Sequence, residues 1–260
     1  MPTTTETWNG STADWNTAND WSDHIVPNDS STNATLGGSG GYTVSIATGE
    51  SFTTGTVLLD NASATLAVSG TLDPTVLTVQ AGLFSVSRGT LAVGGASTNS
   101  GYLELENAAA ATFGGNFANS GNLYVDNDNG SGGSTLTVSG TLTSSDYLQI
   151  GNGNLSASST VTATALTNSG AIHLYGSADH QALLDITAGG APATLVSGAD
   201  LELYGNSLIE FASGGVTTIA SGAELLLNGA DAFVADAGTL GSNSALTGLT
   251  GNAGHFELDN

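Results

Sequence analysis

Short runs of alternating apolar and polar residues fill this chain, and most are followed or preceded by Gly, Ser or Asn. Tyr42-Thr43-Val44-Ser45-Ile46, Thr56-Val57-Leu58-Leu59 and Gly89-Thr90-Leu91-Ala92-Val93-Gly94 are examples. Thr65-Leu66-Ala67-Val68-Ser69-Gly70-Thr71-Leu72 has a near copy in Thr135-Leu136-Thr137-Val138-Ser139-Gly140-Thr141-Leu142. Alternation at period two predicts strands with Leu, Val and Ile on one face and Thr, Ser or Ala on the other. No segment carries a sustained helical period with capping signals, and the run Ala108 to Ala111 is too short to form a helix unsupported.

One turn-and-strand phrase recurs. Asn99-Ser100-Gly101 precedes Tyr102-Leu103-Glu104-Leu105-Glu106; Asn119-Ser120-Gly121 precedes Asn122-Leu123-Tyr124-Val125-Asp126; Asn168-Ser169-Gly170 precedes Ala171-Ile172-His173-Leu174-Tyr175. Later copies begin at Ser197-Gly198-Ala199, Ser221-Gly222-Ala223 and Asn252-Ala253-Gly254. The spacing runs from 20 residues (Gly101 to Gly121) to 31 (Ala223 to Gly254), with Tyr147-Leu148-Gln149-Ile150 filling a double interval. A coil of this size holds two or three short strands and their corners, which predicts a stack of similar coils. The expected fold is all-β: a right-handed parallel β-helix of about nine to eleven rungs, a rod of roughly 45–55 Å at one strand spacing per rung. The repeat glycines Gly101, Gly121, Gly170 and Gly254 are expected to supply positive φ at a corner, and aligned Asn side chains to bond along the stack.

Residues 1–35 differ from the rest. They hold Trp8, Trp15 and Trp21, all of the tryptophan in the chain. A solenoid must cover the apolar end of its first rung, so this segment reads as an N-terminal cap on repeats spanning 36–260. A sugar-stacking platform is the other use of three clustered indoles.

Composition narrows the function. The chain has 260 residues, a formal charge of −22, one basic residue (Arg88) and no Cys. Nucleic acid and anionic membranes need Lys and Arg to neutralise phosphate, so neither is an expected partner. Disulfide and thiol chemistry are excluded. No run approaches the roughly 18 apolar residues of a membrane span, and the N-terminus has neither a basic nor an apolar leader segment. The C-terminal His255-Phe256-Glu257-Leu258 is a strand phrase with no turn after it, which reads as an interrupted repeat.

Candidate chemistry is sparse. Asp126-Asn127-Asp128-Asn129-Gly130 is the best cation candidate, with Asp126 and Asp128 as Ca²⁺ ligands, but its Gly is misplaced for an EF-hand loop and no Glu closes it, so a plain acidic corner loop is the favoured reading. Asp20, Asp23 and Asp29 form a weaker group. His24, His173, His180 and His255 lack zinc-binding spacing and read as solvent-facing residues. Asp231 and Asp236 are not accompanied by a second catalytic motif, and no nucleophile elbow or P-loop is present. Outward Thr is too irregular for a flat ice-binding ladder. No catalytic residue and no organic cofactor are expected.

The Trp-Asn…Asp-Trp-Asn-Thr-Ala-Asn-Asp-Trp-Ser…Val-Pro-Asn opening, with the Ser-Gly-Ala-x-Leu-x-Leu and Asn-Ser-Gly-x-Leu phrases, resembles large bacterial β-strand-repeat surface and secreted proteins: autotransporter-passenger-like or type I-secreted adhesins. The resemblance implies an extracellular or cell-surface rod, structural or adhesive. It would associate with copies of itself, end to end or laterally, or with a cell-surface glycan, and the missing leader favours type I export. Parallel β-helices also include polysaccharide-binding and polysaccharide-degrading proteins, which is the alternative reading.

Overall fold

A computed structural model describes residues 4–259. The chain is a parallel β-solenoid of about ten turns with 59% of its residues in strands; two short 3-10 turns, Ala18–Asp20 and Ser244–Leu246, are its only helical pieces among the described residues. Each turn visits three faces in the same order. The first face contains Thr4–Thr7, Thr32–Leu36, residues 57–59 and 77–79, Ser97–Asn99, Phe117–Asn119, and residues 142–144 and 166–168. The second runs from Tyr42–Ile46 through Tyr102–Glu106, Asn122–Val125, Tyr147–Gly151, Ala171–Tyr175, Asp200–Tyr204 and Glu224–Asn228 to His255–Asp259. The third includes Thr90–Val93, Ala110–Phe113, residues 135–138 and Ala232–Asp236. Every strand in these ladders is parallel to its neighbours, because each coil repeats the path of the last.

The period-two pattern explains the core. On the second face, Leu103, Leu123, Leu148, Ile172, Leu201 and Leu225 occupy one register position in successive coils, and all are buried. Phe113 and Phe117 stack across the corner between the third and first faces with centroids 4.3 Å apart. Burying about one Leu-sized side chain per strand contributes on the order of 1.5–3 kcal/mol each, and with no cysteine this apolar stacking carries the stability.

The cap is continuous with the ladder. Thr4–Thr7 pairs with residues 32–35 of the first face, and Ala13–Asp14 pairs with Val44 and Ser45 of the second. Trp8, Trp15 and Trp21 are all buried; Trp21 meets each of the other two edge-on at 4.8 Å. Each indole N–H donates to a backbone carbonyl: Trp8 to Ser11, Trp15 to Pro27 and Trp21 to Trp15. Their ring faces are spent on one another and on the first rung, so they close the core and offer no stacking platform for a sugar.

All six copies of the recurring phrase lie at one corner, from the first face to the second. The glycines there act differently from the expectation. Gly101, Gly121, Gly170 and Gly254 have no positive φ. They are needed because successive coils touch: a Cβ on Gly121 would lie 2.4 Å from the Gly101 carbonyl oxygen, and one on Gly254 2.3 Å from that of Ala223. Positive φ belongs to the Ser-Gly-Ala copies, at Gly198 and Gly222. The Asn ladder is present but short. Buried Asn99 donates from Nδ2 to Asn119 Oδ1 at 2.8 Å, and Asn119 donates to the Tyr147 carbonyl at 2.9 Å; the next residue in register is Ser144, which ends it.

One face is interrupted. After residue 168, the first face resumes as a separate three-stranded sheet of Thr194–Leu195, Thr218–Ile219 and Gly251–Asn252. The seam leaves an apolar cavity of about 320 Å³ lined by Leu166, Leu195, Val196, Leu201, Ile209 and Phe211, among others.

Candidate functional site

The outer surface of the second face carries the densest chemistry. Strand alternation turns residues 102, 104, 122, 124, 147, 149, 171, 173, 175, 200, 202 and 204 outward, and the parallel register stacks them in rows. Five of the six tyrosines lie here: Tyr102, Tyr124, Tyr147, Tyr175 and Tyr204; the sixth, Tyr42, is buried. Tyr124 and Tyr147 are 5.7 Å apart, Tyr147 meets His173 edge-on at 5.1 Å, and Tyr175 stacks on Tyr204 at 4.9 Å. Tyr102 begins the row and is 48% exposed.

His173 sits in the middle. Glu202 is directly opposite it in the next coil and Gln149 in the preceding one. Its Nε2 lies 3.2 Å from Asp200 Oδ2 and 3.7 Å from Glu202 Oε2, and its Nδ1 lies 3.2 Å from the Tyr147 hydroxyl. The side chain is 14% exposed, so the solvent-facing histidine expected from sequence is instead a partly buried one with both nitrogens engaged. The missed signal was available: aligning Gly170 with Ala199 places the third residue of one strand phrase over the third of the next. Tyr204 donates to Glu202 Oε2 at 3.0 Å; burial first, and that bond and the Glu202 charge after it, push the Tyr204 phenol up to about 12. Burial, with neighbouring tyrosines and carboxylates, also pushes Tyr147 well up.

The Asp126–Asp128 segment is built as a brace. Asp126 is wholly buried. Its Oδ1 accepts from the Asn107 N–H at 2.9 Å and the Ser134 hydroxyl at 2.8 Å; its Oδ2 accepts from the Ser134 N–H at 2.7 Å and the Ser159 hydroxyl at 2.6 Å. Four donors saturate this carboxylate, so it does not fit the role of Ca²⁺ ligand expected for it, while Asp128 points to solvent. Glu106, also buried, accepts from the N–H groups of Asn127 and Asp128 with Oε1, and burial pushes its carboxyl up. Asp20 and Asp23 are tied to the cap: Asp20 accepts from Asn9, and the Asp23 N–H donates to Glu6. Asp29 caps its own turn through Ser31.

The other histidines differ. His255 is exposed, with Glu224 at 2.9 Å and Glu257 at 3.3 Å; the Glu224 hydrogen bond holds its imidazole above the usual value. It lies three coils beyond His173, in a different register position. On the third face Asp185 stands directly opposite Glu210. Burial, and for Glu210 the Asp185 charge as well, raise both carboxyls. Asp231 and Asp236 lie at the two ends of the Ala232–Asp236 strand region and do not join this pair.

Compared with known protein families, curated proteins and solved structures, the chain matches none.

Proposed function

We propose that this chain is a non-catalytic adhesive or structural rod of a bacterial secreted or cell-surface protein, presenting the outer second face to its partner. The observation that supports the reading is the tyrosine row, with five of the six tyrosines placed on one outer face. Tyrosine supplies large, amphipathic contact area with little conformational entropy to lose. A ladder of fixed register holds those rings in place before any partner arrives, which removes part of the ordering cost of binding. The setting outside the cell is supported by the resemblance of the Trp-rich opening and the recurring phrases to bacterial surface repeat proteins.

Adhesion is tested with beads coated in the protein and washed over bacterial-cell and polysaccharide surfaces. A Tyr102→Ser/Tyr124→Ser/Tyr204→Ser variant that keeps its far-ultraviolet spectrum should lose at least tenfold in retained beads. Equal retention of the two proteins, or wild-type retention no higher than uncoated beads, removes the adhesive reading.

Glycan binding is a second reading with one observation in its favour: the exposed Tyr102 ring has no aromatic partner among the described residues. Tyr175 and Tyr204 stack on each other and each has one ring face occupied, so sugar stacking centres on Tyr102. The charge of −22 favours a neutral sugar over a uronate. A glycan array in which Tyr102→Ala abolishes every signal supports this reading; an array with no signal for the wild type rejects it.

A further inference from the structure

One consistent set of hydrogen bonds around His173 places its proton on Nδ1. Gln149 donates from Nε2 to the Gly151 carbonyl at 3.0 Å, which leaves Gln149 Oε1 to face the Tyr147 hydroxyl at 3.1 Å. Both atoms at that second contact are oxygens and only the phenol has a proton, so Tyr147 donates to Gln149. The Tyr147 oxygen then accepts from His173 Nδ1–H across 3.2 Å. In that neutral tautomer the other nitrogen, Nε2, is a bare lone pair.

That lone pair faces two carboxylates. Asp200 Oδ2 is 3.2 Å away and Glu202 Oε2 is 3.7 Å away. Asp200 Oδ1 is buried with no hydrogen-bond partner, and Glu202 Oε2 already has its donor in Tyr204. One atom from each of the three residues lies within 4.8 Å of the others. Three Lewis-basic side chains converge, and a cation at their centre satisfies them together: a proton on Nε2 or a metal ion.

We propose that His173, Asp200 and Glu202 bind a divalent transition-metal ion of the zinc class. One imidazole and two carboxylates suit Zn²⁺ at about 2.0–2.2 Å per ligand, whereas Ca²⁺ favours oxygen ligands alone. The two carboxylates balance the ion's charge, and an imidazolium leaves one negative charge over. Tyr147 and Gln149 supply the outer hydrogen bond that a metal-bound histidine uses to fix its tautomer and orientation. The site lies on the outer face, so the fourth position opens to water. His255 provides the internal contrast: its two nitrogens each face a carboxylate of a different coil or strand position, Glu224 and Glu257, so they do not converge on one point.

The test uses the full chain stripped with EDTA and titrated with ZnCl₂ by calorimetry, with Co²⁺ absorption as a second readout. The expected result is one Zn²⁺ per chain, at least tenfold weaker binding in Asp200→Asn and in His173→Ala, unchanged binding in His255→Ala, and a visible Co²⁺ band that Asp200→Asn abolishes. Asp200→Asn preserves shape and serves where His173→Ala does not fold. No stoichiometric binding by the wild type, which is the result for a site that holds only a proton, overturns the proposal. So does binding that survives Asp200→Asn, or that is lost in His255→Ala.

Discussion

Asp126 shows how much one side chain can hold in this fold. Its four donors come from the corner at Asn107, from Ser134 and from Ser159, so it ties three successive coils together. Asp126→Ala strands buried donors, each costing about 1–3 kcal/mol. The expected loss of stability is roughly 3–5 kcal/mol, read from urea unfolding, and a loss under about 1 kcal/mol would show that the brace is dispensable. Sequence marked this residue out as a corner-loop acid or a Ca²⁺ ligand but not as a buried brace, because an acidic Asx-rich loop looks alike whether its oxygens face solvent or buried N–H groups. Glycine was misread in a similar way. Gly121→Ala should destabilise by about 1–3 kcal/mol through overpacking against Gly101. Gly153→Ala, which meets nothing within 4 Å and has no positive φ, should be neutral or slightly stabilising by about 0.4–1 kcal/mol. Equal effects in the two variants would mean that contact between coils is not what selects glycine at 121.

At the scale of the strand, the faces are near-equivalent. Thr65–Leu72 and Thr135–Leu142 are almost the same octapeptide, yet the first crosses from the second face to the third and the second from the third to the first. The octapeptide specifies strand, corner and strand, and only its place in the coil decides which face it serves. That is why strand positions, the recurring corner and the alignment of His173 with Glu202 were legible in the sequence, while the contacts of His173 with Tyr147 and Asp200, which run diagonally across the register, were not. The break in the first face was also hidden, since the 187–193 stretch looks like any other Gly- and Ala-rich turn. Register brings a like-charge conflict as well. Asp185 and Glu210 are directly opposed, and removing one charge by Glu210→Gln should stabilise by about 0.2–1 kcal/mol. The check is a urea midpoint at pH 7 and low salt; a lower midpoint for the variant refutes it.

For the whole molecule, the balance of 23 acidic residues against one basic residue sets an uncommon dependence on pH. The shifted carboxyls Asp73, Glu104, Glu106, Asp185 and Glu210 are all raised, mainly by burial, and His255 is raised by its bond to Glu224; exposed Asp29 alone is lowered, by Ser31. A raised group favours the folded state when protonated. Its contribution is fully present below its ordinary value, 3.8 or 4.5 for these carboxyls and 6.5 for the histidine, and is lost as pH rises through the folded value. Asp29 acts in the opposite sense, and only as pH falls through its lowered value. The thermal midpoint should therefore rise as pH is lowered from 8 towards 5, and added NaCl at pH 8 should raise it too by screening repulsion. A midpoint that falls steadily over that range contradicts this account. The coil itself has a further consequence. Gly101 and Gly121 occupy the same point one coil apart, as do Tyr102 and Asn122, so excising residues 102–121 reconnects the chain in phase, whereas excising half as many joins one face to another and sets corners against strands of the next coil. The gene can therefore lengthen or shorten this protein by unequal recombination in whole-turn increments of about 4.8 Å, making reach a heritable dimension that varies independently of the chemistry it carries.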